Sequence, residues 1–135
     1  MTVDEIILFK SELKVLRALE RRVISLKSER DRITYMLEGV RGIDTSKEPT
    51  HAHADNRLTL IEKKDEIDAE LETTQHRIDM IYHQLDLFDD EMRMILESVY
   101  IERIPIIEVA EELNYSEATM KRMINRSIIM TLSTH

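Results

Sequence analysis

Apolar residues along the first third of the chain recur at helical intervals. Phe9, Leu13, Leu16, Leu19, Val23, Leu26, Ile33 and Leu37 are separated mostly by three or four positions, which places them on one face of a helix running from about Val3 to Leu37. Charged runs such as Glu20-Arg21-Arg22 and Ser28-Glu29-Arg30-Asp31-Arg32 occupy the other faces, and Arg30 falls where the stripe calls for an apolar group. Gly39 and Gly42 are expected to stop this helix. The segment from there to Asp55 holds Thr, Ser, Pro and His with little to pack, and reads as a mobile loop over about 39–55, long for a helix connection.

A second helix is predicted from about Asp55 to Leu87. Leu60, Lys64, Ile67, Leu71, Thr74, Ile78, Ile81 and Leu85 alternate steps of four and three without a break, the spacing of a coiled-coil seam. Two helices of similar length joined by one loop fold back most simply as an antiparallel hairpin. Pairing between chains satisfies the same pattern, so a homo-oligomer through the coiled coil is the companion expectation.

The last third changes character. Asp89-Asp90-Glu91 mark a helix start, where anionic side chains oppose the N-terminal dipole, and Met92, Ile95, Leu96 and Val99 supply an apolar face. Pro105 marks the next start, followed by a short amphipathic helix from Ile106 to Leu113. Asn114-Tyr115-Ser116 breaks it, and Ser116 is suited to cap a final helix reaching toward Leu132. The expected fold is therefore all-α: a long antiparallel helical hairpin over residues 1–87, then a helix-turn-helix domain over residues 88–135.

Helix-turn-helix geometry sets its own demands. A small residue must sit where the helices cross, and Ala110 supplies it. The turn needs a residue tolerant of positive φ, which Asn114 is. Val109, Leu113, Tyr115, Met120 and Met123 fall at the offsets needed to lock the two helices together. The outward face of the second helix then carries Ser116, Glu117, Ala118, Lys121, Arg122 and Asn125, with Arg126 close by. Lys121, Arg122 and Arg126 bring positive charge, Asn125 is a candidate for base edges, and Glu117 is a cytosine acceptor or simply a good helix start. Ser116 serves as cap and candidate phosphate ligand. The bland alternative is an ordinary solvated helix face.

The stretch from Leu87 to Leu132, with Tyr100-Ile101-Glu102 ahead of Ile107-Glu108-Val109-Ala110-Glu111-Glu112-Leu113-Asn114-Tyr115-Ser116, resembles region four of bacterial sigma factors. It is more similar still to the small late-transcription regulators of phages of Gram-positive bacteria, the ArpU and RinA type, which join a charged N-terminal coiled coil to such a domain. That resemblance implies a cytoplasmic protein of the bacterial host cell that binds promoter double-stranded DNA and activates late or packaging genes, with RNA polymerase among its implied contacts.

Charge changes this picture. The chain of 135 residues has a formal net charge of −8, with 34% charged and only 4% aromatic residues. Phosphate neutralisation drives most nucleic-acid binding, so an acidic total predicts weak, salt-sensitive binding that leans on dimerisation or a partner. It also favours a second class of function, an adaptor engaging polymerase or another phage or host protein through the acidic coiled coil. A third reading, a packaging component similar to a small terminase subunit, fits less well because there the motif generally precedes the oligomerising helices.

Other chemistry is sparse. The absence of Cys excludes disulfides and thiolate-metal sites, and with two Gly there is no phosphate-binding glycine loop. His51, His53 and Asp55 alternate, so an extended loop would align them toward a divalent metal, but no fourth ligand is evident. His76 and His83 lie seven apart and read as exposed. Met120, Met123 and Met130 read as packing. No carboxylate pair or nucleophile-base set stands out. No enzyme activity, cofactor or metal is expected, nor a signal peptide or a membrane span.

Overall fold

The computed structural model describes residues 1–42 and 51–134, with side chains described for 1–39 and 56–134. All regular elements of the described residues are helical: α1 (Val3–Gly42), α2 (His51–Asp86), α3 (Asp90–Leu96), a five-residue π turn (Glu97–Ile101), α4 (Ile106–Glu112) and α5 (Glu117–Ser133). The all-α architecture with a long N-terminal helix is as the periodicity predicts. Both long helices exceed their predicted bounds. Gly39 lies inside α1, with no positive φ and nothing within 4 Å of where a Cβ would stand. The supposed loop is thus helical over 39–42 and 51–55, while 43–50 lie outside the described residues. One glycine costs a helix only about 1 kcal/mol relative to alanine, which the flanking turns absorb.

The chain divides into two compact units, residues 20–76 and residues 1–19 with 77–135. In the first, α1 beyond Glu20 and α2 up to His76 bury a narrow seam of Val23, Leu26, Ile33, Ile67, Leu71 and Thr74. Ion pairs flank it. Arg22 Nε and Nη2 grip both carboxylate oxygens of Glu70 at 2.9 and 3.0 Å, and Lys63 reaches Glu29 at 3.3 Å. Partner numbers fall on α2 as they rise on α1, which makes the pairing antiparallel and within the chain. Arg30, the break in the predicted stripe, is half-buried and extends its guanidinium to Asp68 at 4.0 Å, keeping its stem along the seam and its charge in solvent.

The other unit combines the first turns of α1, the last turns of α2 and all that follows. Leu13, Leu16, Leu85, Ile95, Leu96, Met120, Ile124 and Ile128 are fully buried, and Phe9 and Phe88 stack with centroids 5.8 Å apart. Arg77 holds Glu12 through two hydrogen bonds of 2.8 and 2.5 Å. The boundary expected between residues 87 and 88 is therefore not where the contacts divide. The C-terminal helices are too short and too sparsely apolar to enclose a core alone, and the ends of the hairpin complete it. The connection into α3 is tight, with the Asp89 carboxylate accepting from the Met92 amide at 2.8 Å as N-cap. Within the π turn, the Glu102 amide donates to the Glu97 carbonyl at 2.8 Å. Arg103 then takes a φ of 60°, in the left-handed region that few non-glycine residues enter.

Candidate nucleic-acid interface

Helix α4 closes as its sequence directs. Asn114 adopts a φ of 64°. The Tyr115 amide donates to the Ala110 carbonyl at 2.8 Å, and the Asn114 amide to the Glu111 carbonyl at 3.1 Å. This is the Schellman arrangement, with Asn in the position usually held by Gly. Pro105, expected in the first helical turn, stands instead just before it as the N-cap residue. Ser116 caps α5, its Oγ accepting from the Thr119 amide at 3.1 Å and donating to Thr119 Oγ1 at 2.8 Å. With its hydroxyl engaged twice, Ser116 acts as a cap first.

Packing between α4 and α5 rests on Val109, Ala110 and Met120, all buried, as their offsets require. Leu113 and Met123 are half-buried. Tyr115, expected to lock the helices together, is 37% exposed instead, and directly follows the left-handed Asn114. Ile124 and Ile128, fully buried, extend the inner face of α5 beyond the residues the motif singles out.

The seven predicted contact residues, Ser116, Glu117, Ala118, Lys121, Arg122, Asn125 and Arg126, are all exposed. Since Met120, Ile124 and Ile128 point inward, helical periodicity puts this set on the outer side of α5. Their charges are not equally available. Lys121 Nζ lies 3.2 Å from Glu117 in an i,i+4 pair, and Arg122 Nη2 is 3.4 Å from Thr119 Oγ1. No carboxylate lies within ion-pair distance of Arg122 or Arg126 among the described residues.

Asn125 is committed differently from the sequence expectation. Its Oδ1 accepts from Lys10 Nζ on α1 at 2.5 Å, so a bidentate contact with adenine, which uses both ends of the amide, would compete with that lysine. This bond opens onto a cleft of about 470 Å³ lined by Lys10, Lys14, Tyr100, Arg103, Lys121 and Asn125, with Val99, Ile104, Pro105 and Ile106. Lys10 and Lys14 hold their ammonium groups 5.7 and 6.0 Å from the centroid of the Tyr100 ring, within cation–π range. Arg103 Nη2 donates to the Lys14 carbonyl at 3.3 Å. Burial, and then the neighbouring Lys14, push the Lys10 ammonium below its ordinary value, while burial pushes the Tyr100 phenol up.

Residue-type spacing on α5 finds the outer face but misses Lys10, Lys14, Tyr100 and Arg103. The available signal is slight: Lys10 and Lys14 are four apart, hence on one helix face, and depart from the acidic balance of the chain. What joins them to α5 is the fold, which lies beyond the reach of local pattern.

His51, His53 and Asp55 lie on helical backbone, so the extended geometry that would align them is absent. No group of three or more His, Asp or Glu is poised for a metal ion among the described residues. His76 and His83 are exposed, as their positions on α2 suggest. No helix among the described residues is long and apolar enough to cross a membrane.

No curated protein and no solved structure matches the chain. A family match covers residues 46–132, from ahead of α2 to the penultimate residue of α5. The chain belongs to the family described as "Protein of unknown function (DUF1492)".

Proposed function

We propose that this protein is a transcription regulator that binds promoter double-stranded DNA by inserting α5 into the major groove. The observation that carries the reading is the two-sided character of α5. Its inner side is buried through Met120, Ile124 and Ile128, and its outer side offers Lys121, Arg122, Asn125 and Arg126 to solvent after a tight left-handed turn. A helix held rigidly by its apolar side, with donors on the other, is what major-groove readout uses. By the resemblance to phage regulators, the regulated promoters are those of late or packaging genes, in the cytoplasm of a bacterial host. The reading assigns no catalytic step, cofactor or metal.

Net charge of −8 supports a second reading. In it the acidic hairpin engages RNA polymerase or another phage or host protein, and α5 contributes little affinity of its own. Dimerisation through the hairpin is compatible with either.

The two readings separate in one titration. Purified protein is measured against duplex from upstream of its neighbouring genes, with unrelated duplex as competitor, over a salt series. The regulator reading expects sequence-selective binding that weakens with salt, and weaker binding by an Arg122→Ala variant of unchanged helicity. Absence of binding at low salt by folded protein would reject it in favour of the adaptor.

A further inference from the structure

The cleft between the first turns of α1, the Arg103 turn and α5 gathers several cations, three of them without a carboxylate partner among the described residues. In a chain of net charge −8, several arginines are ion-paired: Arg17 with Glu102, Arg22 with Glu70, Arg30 with Asp68, Arg77 with Glu12, and Arg93 with Asp86 and Glu97. Lys10, Lys14 and Arg103 differ from these in sharing one cleft without a carboxylate partner. Among the described residues, no carboxylate lies within ion-pair distance of any of them, although all three converge on one cavity. Like charges so gathered repel, and the partial burial of Lys10 adds a desolvation cost. The backbone contributes as well, since Arg103 is held in the left-handed region two residues after a π turn, and both features concentrate at functional positions. Cations brought together at such cost, with only neutral partners, are suited to receive an anion.

The anion's chemistry follows from the lining. Lys10 and Lys14 offer ammonium donors and Arg103 a guanidinium, and Lys121, already paired with Glu117, lies on the rim. Asn125, whose Oδ1 is already used by Lys10, keeps its Nδ2 donors. Such a ring of donors suits a tetrahedral oxyanion bearing more than one negative charge or repeated along a polymer.

We propose that this cleft is a phosphate-binding site, with Lys10, Lys14 and Arg103 as its principal ligands. Its occupant is a backbone phosphate of the duplex read by α5. That identification of the occupant rests on the function proposed above, because Lys121 and Asn125 belong both to the outer face of α5 and to the cleft. The first turns of α1 thereby extend the interface of the helix-turn-helix instead of serving only as a stalk.

The test compares the full-length wild type with three double variants. These are Lys10→Gln/Lys14→Gln, the charge-keeping Lys10→Arg/Lys14→Arg, and Arg21→Gln/Lys27→Gln, which removes the same charge from exposed positions elsewhere on α1. Each is checked for helicity and melting temperature, then measured in two ways. In the first, inorganic tripolyphosphate is added and the shift in melting temperature is read. In the second, duplex affinity is followed over a salt series.

The wild type should be stabilised by tripolyphosphate, and Lys10→Gln/Lys14→Gln should abolish that shift while the other two variants keep it. On duplex, Lys10→Gln/Lys14→Gln should lower the slope of log affinity against log salt by about one for each phosphate that is no longer neutralised. Duplex binding with an unaltered slope, together with an unaltered tripolyphosphate shift, would overturn the cleft and leave α5 as the DNA-reading element. A tripolyphosphate shift abolished in Lys10→Gln/Lys14→Gln, with no duplex binding by any form, would keep the phosphate site and reject the DNA reading. An equal effect in Arg21→Gln/Lys27→Gln would reduce the binding to general charge and overturn the site.

Discussion

At the scale of single residues, two side chains set the angle at which α5 leaves α4. Asn114 takes a φ of 64° without glycine, which asparagine tolerates because its short amide avoids much of the clash a larger side chain meets. Replacing it by alanine should destabilise the protein by about 1 kcal/mol, whereas glycine should be neutral or stabilising; chemical denaturation of the two variants reads the difference directly. Ser116 caps α5 through Thr119, and Ser116→Ala should cost about 1 kcal/mol in the same assay. Glu12 is held below the ordinary carboxylate value, chiefly by its hydrogen bonds to Arg77. A carboxylate lowered on folding adds stability that is complete above its unfolded value and is lost as pH falls through the folded one. Acid titration of the melting temperature should therefore show less decline below about pH 4.5 in Glu12→Gln than in the wild type. An identical acid limb in both would remove the Glu12–Arg77 pair from the acid response.

At the scale of elements, the long helices are legible in the sequence because their seams repeat. Phe9, Leu13, Leu16, Val23, Leu26 and Ile33 on α1, and Ile67, Leu71, Ile78, Ile81 and Leu85 on α2, are buried at the expected positions. Their ends are not legible. Gly39 looks like a stop, yet a helix already propagating crosses one glycine at small cost. The matching prediction is that Gly39→Ala stabilises the protein by about 0.5–1 kcal/mol, since its Cβ meets nothing within 4 Å; an unchanged or lowered melting temperature would argue against helix at that position. The turn of α4 into α5 is legible to the residue, Asn114 and Ser116 included, because local backbone rules decide it. Tyr115 departs from expectation for the complementary reason: offsets along a sequence say which residues are near, whereas exposure is decided in three dimensions. The π turn at Glu97–Ile101 and the left-handed Arg103 carry no sequence signature.

At the scale of the whole molecule, charge is the quantity that needs explaining. Part of the acidity is held in ion pairs along the hairpin, such as Arg22–Glu70 and Lys63–Glu29. Exposed pairs of this kind contribute little stability and leave the net charge at −8, so where the unpaired cations sit matters more than their number. Arg122 and Arg126 are exposed on the outer side of α5, and Lys10, Lys14 and Arg103 share a cleft with Lys121 and Asn125 of that helix. On the proposed regulator reading, binding through so few cations should be weak and strongly salt-dependent, with selectivity resting on the groups α5 offers to base edges.

The most direct test of DNA reading by α5 is the affinity of the full-length protein for duplex from upstream of its neighbouring genes, measured against unrelated duplex as salt is raised. The expected result is selective binding that falls with salt and is weakened by Arg122→Ala at unchanged helicity. Folded protein that binds neither duplex at low salt, or binds both equally and indifferently to Arg122→Ala, would contradict it.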